Sequence, residues 1–289
     1  MSEDMQPSPA AVSPDMVWKR IHSNSSLPGR LRRKWDGIMV SEGATLGLSY
    51  CRPFLENKTV NDIFYEGFFK GRQCIVKCSS RAPDSIQNEY EMLKRVHSAD
   101  AAVFPEPYAV WKSSDERMAF IAVEKVGGGT PTEPAADILR MADTLCNTGV
   151  VHRDVSMENI LCGADGHLKL IDFQFAIERN AYRESAFMRR NIVYRYLHFG
   201  NCESLGIGRW NDILGLGFLE CLRNLAPQAK DAEAHLRAMA DKMTFSAPVS
   251  SYARFRLNVY RLSLALQGMF VHKPSIVWRN YKLGRLLSA

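Results

Sequence analysis

The pattern of apolar and polar positions divides the chain into a strand-rich first part and a helix-rich second part. Between residues 50 and 79, three runs rich in aromatic and β-branched side chains are separated by the polar turns NKTVN and KGRQ, which predicts an antiparallel three-strand meander. The run SIQNEYEMLKRVHS has apolar residues three or four positions apart and predicts a helix. FPEPYAVWKSS and MAFIAVEKV predict two more strands. The first part is therefore predicted to be a sheet lobe, covering residues 50–126.

The second part, residues 127–250, is predicted to be mainly helical. It opens with GGGTPTEP, a breaker-rich stretch that is typical of a lobe boundary. PAADILRMADTLCNTGVV and AKDAEAHLRAMADKM both have helical spacing of their apolar residues, whereas NILC and LKLIDF are short strand-like runs separated by the turn GADG. WNDILGLGFLECLRNL is apolar on nearly all sides, so we expect one buried helix there.

The ends of the chain differ from its middle in charge. Residues 1–16 are polar and Pro-rich, without the basic and apolar regions of a secretory signal, and predict a disordered leader. The basic N-terminal extension, residues 17–49, carries six basic residues and no acid up to residue 35; the helical tail, residues 251–289, carries seven and no acid. Such segments are either solvated helix faces or attracted to an anionic partner: a membrane surface, a phosphorylated glycolipid or nucleic acid.

The cysteines and the absence of a long apolar run limit the class of protein further. Seven cysteines occur without a C-x-x-C pair or zinc-ligand spacing. No run of 18 apolar residues exists that would predict a transmembrane helix. We therefore expect reduced thiols and a cytoplasmic protein, with peripheral contact at the inner face of a membrane as a further expectation.

The segment HRDVSMEN carries the first candidate chemistry. It places Asp154 after His-Arg and Asn159 five residues later, and Asp172 follows in IDFQ, 13 residues after Asn159. These segments resemble the catalytic-loop pattern H-R-D-x-x-x-x-N and the D-F-G motif of the protein-kinase superfamily. The resemblance implies an α+β, bilobal protein-kinase-like fold, with a small antiparallel-sheet N-lobe and a mainly helical C-lobe.

Three further segments match the same superfamily in the same order along the chain. CIVK resembles the strand that carries the nucleotide-binding lysine and gives Lys77. NEYEML resembles the helix that carries its acidic partner and gives Glu89, with Glu91 as the alternative. DILGLG resembles the buried D-x-W-x-x-G segment and gives Asp212. The resemblance covers roughly residues 50–225.

The resemblance implies ATP and Mg²⁺ as cofactors and assigns a role to each matched residue. Phosphoryl transfer is mostly positioning and electrostatic stabilisation, so the site needs cations and hard oxygen ligands. By this resemblance, Lys77 binds the α- and β-phosphates, Glu89 fixes Lys77, Asp172 and Asn159 bind magnesium, and Asp154 takes the proton of the acceptor. Arg153 and His152 organise the catalytic loop, and Asp212 accepts hydrogen bonds from the backbone N–H groups of that loop. Glu124 and Val126 bind the nucleotide.

Several departures from the superfamily pattern bear on the acceptor. The loop LENKTVND between the first two strands lacks the glycines that let a backbone approach phosphates closely. Gln174 replaces the glycine of D-F-G, Ser156 stands where Ser/Thr protein kinases commonly carry lysine, and no A-P-E motif follows. This reduced set resembles bacterial kinases that phosphorylate sugars of the lipopolysaccharide core, which favours a saccharide or glycolipid acceptor.

Two other interpretations stay open. The chain could be a protein Ser/Thr kinase, or a pseudokinase that serves as a nucleotide-binding or scaffold module because its phosphate loop lacks glycine. A nucleic-acid partner is not expected, since no motif that reads RNA or DNA accompanies the basic ends.

Overall fold

A computed structural model describes most of the two predicted lobes. The described residues are 37–38, 41–53, 62–79, 83–114, 116, 118–179, 203–204, 207–214 and 217–248. The predicted leader, most of the basic extension, the glycine-free loop and the basic tail lie outside the described residues.

The N-lobe is a five-stranded antiparallel sheet in the order β1-β2-β3-β5-β4. Its strands are β1 (Leu48–Pro53), β2 (Asp62–Phe69), β3 (Arg72–Ser79), β4 (Pro107–Lys112) and β5 (Ala119–Glu124). The predicted meander is confirmed as β1–β2–β3. Its first strand begins at Leu48, three residues earlier than the predicted run, because Leu48 pairs with Phe69 and is buried with it in the sheet's core.

The helix α1 (Pro83–Ala99) covers one face of this sheet, as its spacing predicts. Ile86 of α1 packs against Ala119 and Ile121 of β5. Lys77 of β3 is the cross-strand partner of Ile121, so its side chain stands on the same face. Strand alternation therefore directs the lysine towards the helix and away from the aromatic core on the other face.

The described residues of the C-lobe form three helices and several short strands. Its elements are α2 (Pro134–Thr148), β6 (Val150–Val151), a 3-10 turn (Met157–Asn159), β7 (Ile160–Cys162), β8 (Leu168–Leu170), a second 3-10 turn (Phe173–Phe175), β9 (Ile177–Glu178), α3 (Phe218–Leu225) and α4 (Lys230–Met243). The β7–β8 hairpin confirms the two predicted short strands, and β6 pairs with β9. The α+β bilobal fold is thus confirmed. Residues 125–133, which we call the linking segment, join β5 to α2, and the predicted lobe boundary at residue 127 falls within them.

The prediction of one buried helix over residues 210–225 was wrong. A strand, β11 (Ile207–Asn211), pairs there with β10 (Glu203–Ser204) and β12 (Thr244–Pro248), and α3 begins only at Phe218. The Asn211 side-chain oxygen accepts the Ile213 N–H at 2.9 Å, which forms a turn in place of a helical start. A stretch that is apolar on all sides has no period, so its pattern could not distinguish strand from helix.

Gly149 ends α2 and turns the chain into the loop that carries His152, Arg153 and Asp154. Its left-handed backbone (φ +69°) lets its N–H return to the Cys146 carbonyl at 3.3 Å, which closes the helix. The helix predicted through residue 151 therefore stops at Thr148, and β6 leads directly into His152. Within the described part of the chain, every helix is too short or too polar to cross a membrane.

Candidate active site

A cluster of three charged side chains, two buried and one half-buried, joins a strand, a helix and a loop. The Lys77 Nζ lies 2.9 Å from Glu89 Oε2 and 2.7 Å from Asp172 Oδ1. The Lys77 and Glu89 side chains are only 5% and 7% exposed, whereas Asp172 is 29% exposed. Charge-assisted bonds in such surroundings are strong and directional. Glu89 thus holds the ammonium from the helix side, and the Asp172 carboxylate stays partly accessible to solvent.

The Asp172 carboxyl is ionised at neutral pH. Burial works to raise its pKa, but the charge of Lys77 and the hydrogen bond from Lys77 outweigh it and hold the pKa below its usual range. Asp172 also has a left-handed backbone (φ +65°), which is uncommon for a residue other than glycine. Strained backbone of this kind concentrates at functional sites. The arrangement presents a fixed anionic oxygen, the type of ligand that Mg²⁺ prefers.

Asp154 and Asn159 contact each other near the Lys77–Asp172 pair, whose charges both act on the pKa of Asp154. The 3-10 turn (Met157–Asn159) brings the Asn159 Nδ2 to 3.1 Å from Asp154 Oδ2 and 2.9 Å from the Asp154 carbonyl oxygen. Burial, reinforced by the nearby charge of Asp172, raises the pKa of Asp154 to about 7. A carboxylate that titrates near neutral pH suits a group that takes a proton from an acceptor hydroxyl.

Asp212 holds the loop that carries His152, Arg153 and Asp154 through its backbone. Its two carboxylate oxygens accept the backbone N–H groups of His152 at 2.7 Å and Arg153 at 2.8 Å, which confirms the predicted role. Arg153 has a left-handed backbone (φ +69°), and its Nε donates to the Phe175 carbonyl at 2.6 Å. The loop is thereby fixed both to Asp212 and to the turn that follows Asp172.

His152 links the two halves of the site as a neutral side chain. Its Nδ1 accepts the Asp154 N–H at 3.2 Å, and its Nε2 lies 3.0 Å from the Ile171 carbonyl oxygen. Because Nδ1 accepts, the proton sits on Nε2. Burial lowers the pKa of His152, and the ring packs edge-on against Phe173 with centroids 4.5 Å apart. Its role is to keep the Asp154 loop at a fixed distance from the Asp172 segment.

The helix that carries Glu89 is also tied to the chain after Asp172, which sequence reasoning missed. The Asn88 Nδ2 donates to the Ala176 carbonyl at 2.8 Å, and Arg95 pairs with Glu178 at 2.9 Å. Positions 88 and 95 are seven residues apart and therefore share one helix face, a spacing that could have drawn attention to them. These contacts keep Glu89 within reach of Lys77.

The remaining predicted residues have different surroundings. Glu91 is exposed and accepts a hydrogen bond from Gln87 at 2.9 Å, so the alternative pairing of Glu91 with Lys77 was wrong. The Glu124 side chain binds the Lys169 ammonium and a backbone N–H, so any contact of Glu124 with nucleotide would use its backbone. Val126 is half-buried in the linking segment.

The donors at the site fit a cation that is shared with a nucleotide. Among the described residues, no group of three or more His, Cys, Asp or Glu side chains could enclose a metal alone. Asp172 offers a carboxylate, and Asn159 offers its amide oxygen because its nitrogen is bonded to Asp154. Mg²⁺ is commonly held by one or two such groups together with substrate phosphates and water, so these residues suit it.

Comparison with known families identifies the fold's relatives. The model of the RIO domain family matches residues 57–201, half of the chain. The chain belongs to this family. It therefore belongs to the protein-kinase superfamily, as the motifs predict.

Individual relatives are protein kinases. The chain is 30% identical over 122 residues to an Aurora kinase of Dictyostelium discoideum, covering 40% of this chain and 31% of the relative. It is 27% identical over 156 residues to a probable cAMP-dependent protein kinase catalytic subunit of Encephalitozoon cuniculi, covering 48% and 45%. It is 26% identical over 192 residues to the cAMP-dependent protein kinase catalytic subunit PRKX of Mus musculus, covering 60% and 50%. The chain spans half or less of the length of these relatives.

Proposed function

We propose that this chain is a kinase that transfers the γ-phosphoryl group of ATP to an acceptor hydroxyl with the help of Mg²⁺. The observation that carries the proposal is the Lys77–Glu89–Asp172 cluster around a buried ammonium, with Asp154 and Asn159 held beside it by His152 and Asp212. A cation for the phosphates, a hard anionic ligand for the metal and a carboxylate that can accept the acceptor proton are groups that suit phosphoryl transfer.

Each residue has a distinct part in the proposed reaction. Lys77, aligned by Glu89, binds the phosphate chain of the nucleotide. Asp172 and Asn159 hold magnesium, which when bound supplies positive charge against the phosphate oxygens. Asp154 orients the acceptor hydroxyl and accepts its proton as the new oxygen–phosphorus bond forms, while ADP leaves. Arg153 and Asp212 do not touch the substrates but fix the loop.

Two acceptor classes are supported by different observations. Relatives named as protein kinases favour a hydroxyl on a protein side chain. Ser156, at a position where Ser/Thr protein kinases commonly have lysine, and the basic ends of the chain favour a saccharide or glycolipid of the lipopolysaccharide-core type. The basic ends lie outside the described residues; we propose that they contact an anionic membrane at its cytoplasmic side, which sedimentation with anionic and with neutral vesicles would test.

Radiolabelled ATP offered together with both acceptor classes tests the proposal. Wild type is expected to label one class, and Asp154→Ala is expected to lose transfer while a thermal shift with Mg-ATP still reports nucleotide binding. Label on protein alone would end the glycolipid proposal. Binding without transfer to any acceptor would support the pseudokinase alternative, and absence of binding would overturn the proposed function itself.

A further inference from the structure

Lys169 is a buried lysine that lies outside the Lys77 cluster. It occupies the middle of β8, where its neighbours Leu168 and Leu170 point into the core of the C-lobe. Successive side chains of a strand point to opposite faces, so Lys169 is directed away from that core. Its side chain is only 7% exposed. Burying an ammonium is costly unless an anion compensates it.

The compensating anion comes from the other lobe. The Lys169 Nζ donates to Glu124 Oε1 at 2.7 Å, and the second oxygen of Glu124 accepts the Glu106 N–H at 3.0 Å. Glu124 is the last residue of β5, immediately before the linking segment, and Lys169 lies three residues before Asp172. The next residue, Lys125, pairs with Glu66 of β2. Two ion pairs, one to each lobe, therefore hold the start of the linking segment.

We propose that the Lys169–Glu124 ion pair positions the linking segment for the nucleotide and thereby sets nucleotide affinity. The inference rests on the proposed function. Glu124 ends β5, which pairs with the strand of Lys77, and Lys169 lies three residues before Asp172, so the linking segment begins beside both strands that lead to the proposed phosphate-binding side chains. The proposal places the base of the nucleotide along this segment. The pair fixes the distance between the end of β5 and the strand that leads to Asp172 before the nucleotide arrives. Such preorganisation raises affinity because less ordering remains to be done on binding.

Lys169 acts as a positioning residue in this arrangement. Its ammonium is held by Glu124 and is not the cation of the Lys77 cluster. A second ion pair between α2 and the residue after α1 provides a matched comparison: Arg140 binds Asp100 in two-pronged fashion, at 2.6 and 3.0 Å, but its side chain is 44% exposed. R140M is therefore the control variant. If the loss of any ion pair between these elements weakened nucleotide binding, R140M would weaken it as much as K169M does.

The test measures dissociation constants of Mg-ATP and of adenosine by calorimetry for wild type, K169M, K169R, E124Q, the double variant K169M/E124Q and R140M. K169M and E124Q are each expected to raise the dissociation constants of both ligands about tenfold, which is an ordinary coupling for one buried pair. The double variant should be no weaker than either single one, because the pair is already broken. K169R should stay within about threefold of wild type, and R140M within about twofold. The turnover number at saturating ATP should change less than about twofold in K169M, since uniform binding affects affinity and not chemistry.

Each other result contradicts the proposal. Wild-type affinity in a folded K169M, additive losses in the double variant or an equal loss in R140M would overturn it. A loss for Mg-ATP but not for adenosine would mean that Lys169 acts on the phosphate end, which also overturns it. If K169M does not fold, E124Q breaks the same pair from the other side and decides the question. Failure of wild type to bind nucleotide would instead refute the proposed function.

Discussion

Two ion-pair clusters in this chain have nearly the same geometry and very different surroundings. In one, Lys77 lies 2.9 Å and 2.7 Å from its two carboxylate partners. In the other, Glu233 on α4 lies 2.7 Å from Arg223 and 2.8 Å from Arg237. The Lys77 side chain is 5% exposed, whereas both arginines are more than half exposed.

The difference shows that distance alone does not identify a functional ion pair. The hydrogen bond from Arg223, followed by that from Arg237, lowers the pKa of Glu233 to about 2, yet water screens these charges. Lys77 is shielded from water, and its partners lie 12 and 95 positions away in the sequence. Of the two clusters, the Lys77 cluster therefore depends on the whole fold, and there a missing partner leaves a buried charge uncompensated.

The largest expected effect comes from Asp172→Asn. The amide cannot neutralise Lys77 or supply a charged ligand to magnesium, so phosphoryl transfer should fall about a thousandfold, in line with other losses of a key electrostatic group. Steady-state kinetics with the acceptor identified by radiolabelling would measure it. Retention of more than a tenth of the wild-type rate would contradict the assigned role of Asp172.

Glu89→Gln should have a smaller effect, because Lys77 keeps its bond to Asp172. We expect the rate to fall roughly 10–100-fold, the range usual for groups that orient a functional side chain. A urea unfolding curve of the same variant should also shift to lower midpoint, since half of the charge facing Lys77 is lost. An unchanged rate would show that the helix does not align the lysine.

The pH dependence of Asp154 gives a more moderate effect. Its pKa is raised from 3.8 to about 7 by burial, so between these values the unfolded chain is ionised while the folded chain keeps its proton. The free energy of unfolding of wild type should therefore fall relative to that of Asp154→Asn as pH rises from 4 to 7. Above pH 7 the difference between the two proteins should stay constant. Because the Lys77 charge lowers this pKa, Lys77→Met should move the carboxyl titration, followed by NMR, to higher pH. A midpoint near 4 in wild type would contradict the burial of Asp154.

Glu233→Gln, the isosteric change in the exposed cluster, should have the smallest effect. Its unfolding midpoint and its rate should equal those of wild type at 0.15 M salt, because exposed pairs are screened. The direct comparison with Glu89→Gln removes the same charge from the same type of side chain. A shift of similar size in both variants would refute the distinction between the two clusters.

The comparison also explains which parts of the site could be predicted. Asp154, Asn159 and Asp172 occur in short segments whose identities and spacing match the superfamily. The structure brings Asn159 into hydrogen-bond contact with Asp154 and places Asp172 close enough for its charge to raise the pKa of Asp154. Lys169 has no such segment: its importance depends on Glu124, 45 positions away, and on a strand too short for its alternation to stand out. The prediction of a lipopolysaccharide-core acceptor rests on residues outside these contacts and stays a prediction.

The sequence motifs by themselves predicted the protein-kinase superfamily, the order of strands and helices in the N-lobe, and the residues that carry the candidate chemistry. These features depend on local periodicity and on fixed spacing within single segments. The tertiary structure decided that Glu89 and not Glu91 faces Lys77, that residues 207–211 pair as a strand, and that Lys169 reaches across to Glu124. Such choices depend on which faces meet and which charges are removed from water, and those are properties of the packed chain.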